Sequence, residues 1–303
     1  MKLVQTIFLI FALSLLAPVL AACSSDDPVK PDAPGVNSDK LEPGKAADEL
    51  YNRASQALDR EDYKEAAKLF EELDRQYPYS RWATQSQLMA AYALYSDMDY
   101  IRAQAALDRF IELHPGYKNI SYAYYLKALS YYEQISDVKR DQSAARAALA
   151  AFNTVIRRFP DTKYARDSRF KRDLTLNHLA GKEMEVGRFY LERNQINAAI
   201  NRFKNVIENY QTTTHVPEAL HRLVEAYRIL GLEAQARRIA AVLGYNYPKS
   251  KWYQYSYRLF DEEEIEELRQ RKGWMELTLD TLFSRESPQS KQEMESNAPT
   301  KSE

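Results

Sequence analysis

The sequence predicts an all-α fold: an α-solenoid of five short helical hairpins, closed by an extra C-terminal helix. Three observations predict it. Apolar residues recur at three- and four-residue spacing from residue 46 to about 257, the pattern of amphipathic helices. Glycine is scarce, at 8 of 303 residues, which suits helices and argues against phosphate-cradling loops. The third observation is internal repetition. Five segments end in a related phrase: Tyr77-Pro78-Tyr79-Ser80, His114-Pro115-Gly116-Tyr117, Phe159-Pro160-Asp161-Thr162, Tyr210-Gln211-Thr212-Thr213 and Tyr247-Pro248-Lys249-Ser250.

The residues behind each phrase define the hairpin. Twelve positions before each Pro, or before Gln211 where Pro is missing, stand Ala66, Ala103, Ala148, Ala199 and Ala236. Eight positions before stand Phe70, Leu107, Phe152, Phe203 and Ala240. Small, then large, then Pro at this spacing is the second half of a tetratricopeptide repeat. The small residue lets two antiparallel helices approach, the large one fills the hairpin, and Pro stops the helix and opens the turn. The first helices agree. Ala54, Ala91, Ala128, Gly187 and Val224 stand where the helix crossing wants little bulk, Val224 being the poorest match. Three residues later Ala57, Leu94, Tyr131, Tyr190 and Tyr227 are expected to fill the space between helices. Two irregularities stand out: extra residues 136–142 inside the third repeat, and a longer segment, 161–179, before the fourth. One such set arises easily by chance; five in register do not.

The flanks differ in kind. Lys2 precedes an apolar run over residues 3–20 that ends in Leu20-Ala21-Ala22-Cys23, which reads as a secretory signal peptide. The run is also about long enough to span a bilayer, so an uncleaved anchor is the alternative. Leu-Ala-Ala-Cys argues against that, because it resembles the lipobox of bacterial lipoproteins. In those proteins cleavage precedes the cysteine and its thiol carries a diacylglycerol. Cys23 is the only cysteine, so the chain cannot form an internal disulfide. Several acyl chains on one residue anchor firmly, since each buried CH₂ contributes about 0.8 kcal/mol. Ser24, not Asp, follows the cysteine, and the resemblance then favours the outer membrane. Residues 24–44 hold four prolines and little to bury, and read as a disordered tether. Its 21 residues reach about 70 Å when extended. At the other end, Asp261-Glu262-Glu263-Glu264 opens an acidic amphipathic stretch, its charge matched to a helix N-terminus. Trp274, Leu277 and Leu282 are expected to dock on the last hairpin. The expected division is a signal peptide (1–22), lipidated Cys23 and tether (23–44), five repeats (45–257), an acidic helix (258–283) and a disordered tail (284–303).

Chemistry is thin. The 42 Lys and Arg balance 43 Asp and Glu, which gives no reason to expect a nucleic acid. His114, His178, His215 and His221 form no HExxH pattern, and no nucleophile elbow or P-loop is present. His114 fills a turn slot held elsewhere by Tyr or Phe, and reads as a packing residue. No enzyme activity, metal or cofactor is expected. Tyrosine is abundant, at 22 residues. The first helices of such hairpins line the concave side of the stack. In the first three repeats the inward positions are Tyr51, Ser55, Leu88, Tyr92, Tyr95, Tyr122, Tyr125, Leu129 and Tyr132. Tyrosine offers flat apolar area plus a hydroxyl at low entropic cost, which suits an extended peptide with aromatic or apolar side chains. For any single tyrosine, packing against the next hairpin is an equal alternative; the cluster points to a groove.

Several phrases carry a closer resemblance. They are Gln85-Ser86-Gln87-Leu88, Ala103-Gln104-Ala105-Ala106-Leu107-Asp108-Arg109-Phe110-Ile111, Asn119-Ile120 with Tyr122, Ala144-Ala145-Arg146-Ala147-Ala148, Phe159 to Tyr164, Glu192-Arg193 and Asn201-Arg202. With the lipobox and repeats, these resemble the BamD (ComL) family of outer-membrane β-barrel assembly lipoproteins, over residues 20 to about 250. The resemblance implies a non-enzymatic subunit facing the periplasm. Its N-terminal repeats would receive the targeting segments of unfolded outer-membrane proteins. Its C-terminal repeats would hold a BamA-type barrel subunit beside other assembly lipoproteins. It also implies that Arg202 makes an ion pair with that barrel subunit. Two departures matter: the third-repeat insertion is shorter than in enteric members, and the tail beyond Ser250 has no counterpart in short members. The alternatives are a generic periplasmic repeat adaptor in cell division or peptidoglycan coordination, which lacks the Ala-Gln-Ala-Ala phrase, and an enzyme built on the repeats, for which no converging titratable groups are found.

Overall fold

A computed structural model describes residues 43–260 of the chain. The expected signal peptide, Cys23, most of the tether, most of the acidic helix and the tail therefore lie outside the described residues. Among the described residues the fold is all helix: α1 (Pro43–Asp59), α2 (Tyr63–Gln76), α3 (Ala83–Ser96), α4 (Tyr100–Leu113), α5 (Ile120–Tyr132), α6 (Ser143–Arg158), α7 (Lys163–Glu192), α8 (Ile196–Asn209), α9 (Val216–Ile229), α10 (Glu233–Asn246) and α11 (Lys251–Tyr257). Helix α1 starts at Pro43, inside the stretch read as tether; Pro at the first helical position has its φ already set and needs no N–H partner. Residues 258–260 form a turn after α11. No helix among the described residues is long and apolar enough to cross a membrane.

Each helix packs on its successor, and odd- and even-numbered helices pair into hairpins. The small positions are buried as expected: Ala54, Ala91, Ala128 and Val224 in the first helices, and Ala66, Ala103, Ala148, Ala199 and Ala236 in the second. Phe70, Leu107, Phe152 and Phe203 are fully buried between them. Gly187 shows why one crossing takes glycine, because a Cβ there would lie 2.4 Å from Cε1 of Phe203. First helices of neighbouring hairpins also touch, α3 with α5, α5 with α7 and α9 with α11, whereas no two second helices come as close. The stack thus turns its first helices inward.

The turns are built from repeated hydrogen bonds. Tyr77, His114, Phe159, Tyr210 and Tyr247 end their helices with φ between −134° and −127°, and each N–H donates to the carbonyl four residues back. Each carbonyl then accepts from the N–H three residues on, as Tyr77 does from Ser80 at 3.0 Å. Gln211 supports the same geometry without proline, so Pro reinforces the turn without defining it. Within hairpins, Glu61, Met98, Asn194 and Gly231 take φ of +61°, +61°, +58° and +70°. Non-glycine residues there are strained by roughly 1–2 kcal/mol. Met98 is 72% exposed and gives no packing in return. Met98→Gly is therefore expected to stabilise the protein by about 0.5–1 kcal/mol net of the entropy of a freer unfolded chain, read as a higher urea midpoint; an unchanged or lower midpoint would refute it.

The two irregular segments prove ordered. Gln142 is buried and its Nε2 donates to the carbonyls of Asp137, Val138 and Arg140, holding the extra loop from inside. Lys182 Nζ ties that loop to α7 through the Lys139 carbonyl at 2.9 Å. Residues 163–179 are helical and continuous with the first helix of the fourth hairpin, giving the 30-residue α7. Thr162 caps it, accepting from the Ala165 N–H at 3.1 Å.

Candidate functional site

The inward tyrosines fall into two groups. Tyr51 on α1 is a wedge between the first two hairpins. Its ring stacks on Trp82 at 4.1 Å and meets Phe70 edge-on at 5.6 Å. Its hydroxyl accepts from Gln85 Nε2 at 2.7 Å and hydrogen-bonds Ser55. Asp48 completes the wedge, accepting from Trp82 Nε1 at 2.6 Å and from Arg81 Nη2 at 2.8 Å. The Trp82 bond, with Arg81, holds its carboxyl below the usual carboxylate range. Sequence reasoning missed Asp48, Arg81 and Trp82, because the bonds join residues more than thirty positions apart.

The second group is the larger. Tyr92 and Tyr95 on α3 stand near Tyr122 and Tyr125 on α5, close enough for neighbouring phenols to add to the raised pKa of Tyr95, Tyr122 and Tyr125. Burial pushes Tyr95 up to about 12, aided by the charge of Glu133. Burial also raises Tyr122 and Tyr125, the latter helped by its bond to Asp167. The Tyr125 hydroxyl donates to the Asp167 carboxylate. Tyr164 on α7 packs on both, with ring centroids 5.4 Å from Tyr122 and 5.2 Å from Tyr125. Tyr132 sits two turns beyond Tyr125 along α5, edge-on to Phe152 at 5.8 Å, with Lys171 Nζ 5.0 Å above its ring. Leu129 and Tyr132 flank the cluster and are half-buried.

These rings rest on the core and keep one edge open: Tyr92, Tyr95, Tyr122 and Leu129 pack against Leu88, Ala91, Leu107 and Phe110 while staying partly exposed. Leu88 belongs to that floor, at 5% exposure, and does not front the surface. It lies one turn before Tyr92, where the twist of α3 carries its side chain under the neighbouring hairpin. Tyr164 and Asp167 are additions that the sequence did not give up, because they stand on the segment set aside as irregular. The arrangement brings aromatic rings from three helices together with the Tyr125 hydroxyl and the Asp167 carboxylate.

Arg202, on α8, reaches across its own hairpin. Its Nη1 donates to Glu183 of α7 at 3.1 Å, and its side chain stays 44% exposed. The histidines are structural. His114 packs on Phe110 at 5.2 Å and hydrogen-bonds Gln87 at 2.9 Å. Burial lowers the pKa of His178 and of His215. His221 is buried, with Nδ1 2.8 Å from the Ser256 hydroxyl and Nε2 3.3 Å from Glu225. Ser256, at 1% exposure, is closed to any substrate, so this Ser-His-Glu set ties α11 to α9. Among the described residues no group of three His, Cys, Asp or Glu is placed to hold a metal ion.

A family model described as YfiO, outer membrane lipoprotein, matches residues 43–243. The chain is 52% identical over 213 residues to an outer membrane protein assembly factor BamD of Caulobacter vibrioides, covering 70% of each protein. It is 53% identical over 210 residues to the protein of the same name from Rickettsia prowazekii, covering 69% of this chain and 84% of that one. The Neisseria meningitidis serogroup A protein of that name is 35% identical over 253 residues, covering 80% and 92%.

Proposed function

The chain belongs to the YfiO family of outer membrane lipoproteins, and from that premise we propose that it is a non-enzymatic scaffold of the machinery that assembles β-barrel proteins into the outer membrane. The relatives carry the name of assembly factor, which supports the role. In this reading Cys23 carries acyl chains that hold the helical body at the membrane. The lipobox-like Leu20-Ala21-Ala22-Cys23 and the family's description as a lipoprotein support it. The half-open tyrosine face of α3, α5 and α7 receives extended targeting segments of unfolded outer-membrane proteins. One observation carries this: Tyr92, Tyr95, Tyr122, Tyr125 and Tyr164 come together from three helices and each stays partly exposed. Such a face matches a ligand with aromatic and apolar side chains and a main chain in need of hydrogen-bond partners.

The barrel subunit engages the later hairpins, with Arg202 exchanging Glu183 for a partner carboxylate. Arg202 is solvent-exposed while Glu183 is mostly covered, and a pair open to water on one side contributes about 1 kcal/mol to folding. Arg202→Ala should therefore leave the melting temperature almost unchanged while reducing the barrel subunit that co-elutes from detergent extracts. Full co-elution would remove Arg202 from the interface. The function as a whole is tested by purifying the native protein in detergent and identifying its partners by mass spectrometry, and by depletion. A β-barrel subunit is expected in the first experiment and lowered porin levels in the second. Unchanged porins after depletion would overturn the assignment.

A further inference from the structure

The fifth hairpin differs from the others at its tip. The corresponding turns of the first, second and fourth hairpins read Arg60-Glu61-Asp62, Asp97-Met98-Asp99 and Arg193-Asn194-Gln195. The fifth reads Leu230-Gly231-Leu232, directly after Ile229. Ile229, Leu230 and Leu232 are 58%, 40% and 39% exposed, so three aliphatic side chains face water side by side. The charges flanking them are turned elsewhere. Arg228 Nη1 lies 3.8 Å from Glu233, and the Arg228 guanidinium lies 4.9 Å from the ring centre of Phe260.

That last contact fixes where the chain leaves the folded body. Phe260 is the final described residue, it is buried, and it sits against the residue that precedes Ile229. The sequence that follows begins with four acidic residues, beside the exposed cation of Arg258. It then places Ile265, Leu268, Met275, Leu279 and Leu282 at intervals of three, seven, four and three, one apolar stripe of a helix. Ile265 is five residues beyond Phe260, a reach of up to about 17 Å. The stripe therefore starts within range of the tip without crossing another hairpin.

We propose that residues 261–283 fold back on the fifth hairpin and cover Ile229, Leu230 and Leu232 with the stripe that begins at Ile265 and Leu268. The chain's own C-terminal segment is then the cap of the array. Stacked repeats need such a cap, since the last unit otherwise leaves apolar surface with no neighbour. A segment attached next to its target has an effective concentration in the millimolar range. It outcompetes a second copy of the chain or a lipid surface for the same tip. The segment lies beyond residue 243, where the match to the family model ends.

Hydrogen exchange on the full-length chain tests this from both sides. In the variant I265D/L268D, the amides of residues 229–232 should exchange at least tenfold faster than in the parent. In L230D/L232D, whose changes fall on exposed side chains, the amides of residues 261–283 should speed up to a similar extent. Reciprocal acceleration with an unchanged sedimentation mass is the expected result. No change at 229–232 in the first variant overturns the proposal. So does a parent that sediments as a dimer and dissociates in either variant, which would make a second copy the occupant. Binding of the parent, through the tip, to vesicles of phosphatidylethanolamine and phosphatidylglycerol would overturn it in favour of a lipid surface. None of these readouts depends on the assembly role.

Discussion

Gly187→Val is expected to destabilise the protein by about 3–4 kcal/mol, at the large end of what overpacking a core costs. The substitution sounds mild, because the fifth hairpin carries Val224 at the matching position and buries it completely. The difference lies in the partner position. There the fourth hairpin has Phe203 and the fifth has Ala240. A Cβ on Gly187 would stand 2.4, 2.8 and 2.9 Å from three atoms of the Phe203 ring, and the ring is fully buried with nowhere to retreat. Better helix propensity offers roughly 0.5 kcal/mol in compensation, too little to matter. Phe203→Ala alone should cost about 3–5 kcal/mol through the cavity it leaves. The double variant Gly187→Val/Phe203→Ala recreates the small–large exchange of the fifth hairpin. It should recover about 2–3 kcal/mol of the summed losses, an interaction energy readable from urea midpoints. Strict additivity would mean the two positions do not share one space.

Tyr122→Ala combined with Tyr125→Ala is expected to weaken capture of an aromatic-ended outer-membrane targeting peptide by about 30- to 100-fold, or 2–3 kcal/mol. Both rings are held by Tyr164, and Tyr125 is further oriented by Asp167, so little entropy is lost when a ligand stacks on them. Tyr125→Phe keeps the ring and frees the carboxylate; a loss of only a few-fold is expected. Tyr79→Ala, at a fully exposed turn residue, serves as the control and should change nothing. Peptide anisotropy would measure all four. Equal affinity for the double variant and the parent, with helical circular dichroism retained, would send the binding surface elsewhere.

The hairpins were legible because burial writes itself into periodicity. Alanine recurs where helices cross, phenylalanine or leucine where they need filling, and neither choice depends on distant sequence. The poor matches were legible only in pairs: Val224 and Ala240 each look like exceptions, yet a larger residue on one helix accompanies a smaller one on the other. The continuity of α7 was written in an absence. Between Lys163 and Ala180 there is neither glycine nor proline, so nothing stops the helix that Thr162 begins. Reading residues 161–179 as an interruption hid Tyr164 and Asp167. Contacts such as Asp48 with Trp82, or His221 with Ser256, join residues 34 and 35 positions apart, and no local pattern announces them. Leu88 and Tyr92 share a helix face by spacing, but which of them meets water depends on how the adjacent hairpin sits, which spacing does not encode.

The 30 residues of α7 form a strut about 45 Å long. Tyr164 and Asp167 are fixed near one end, and Glu183, the anchor of Arg202, is fixed about two thirds of the way along. An ordinary tetratricopeptide joint would sit between those places and absorb a displacement by bending. Here there is no joint. Under the proposed function, a load taken at the tyrosine face would be passed along this one continuous helix, as by a lever, toward the anchor of Arg202.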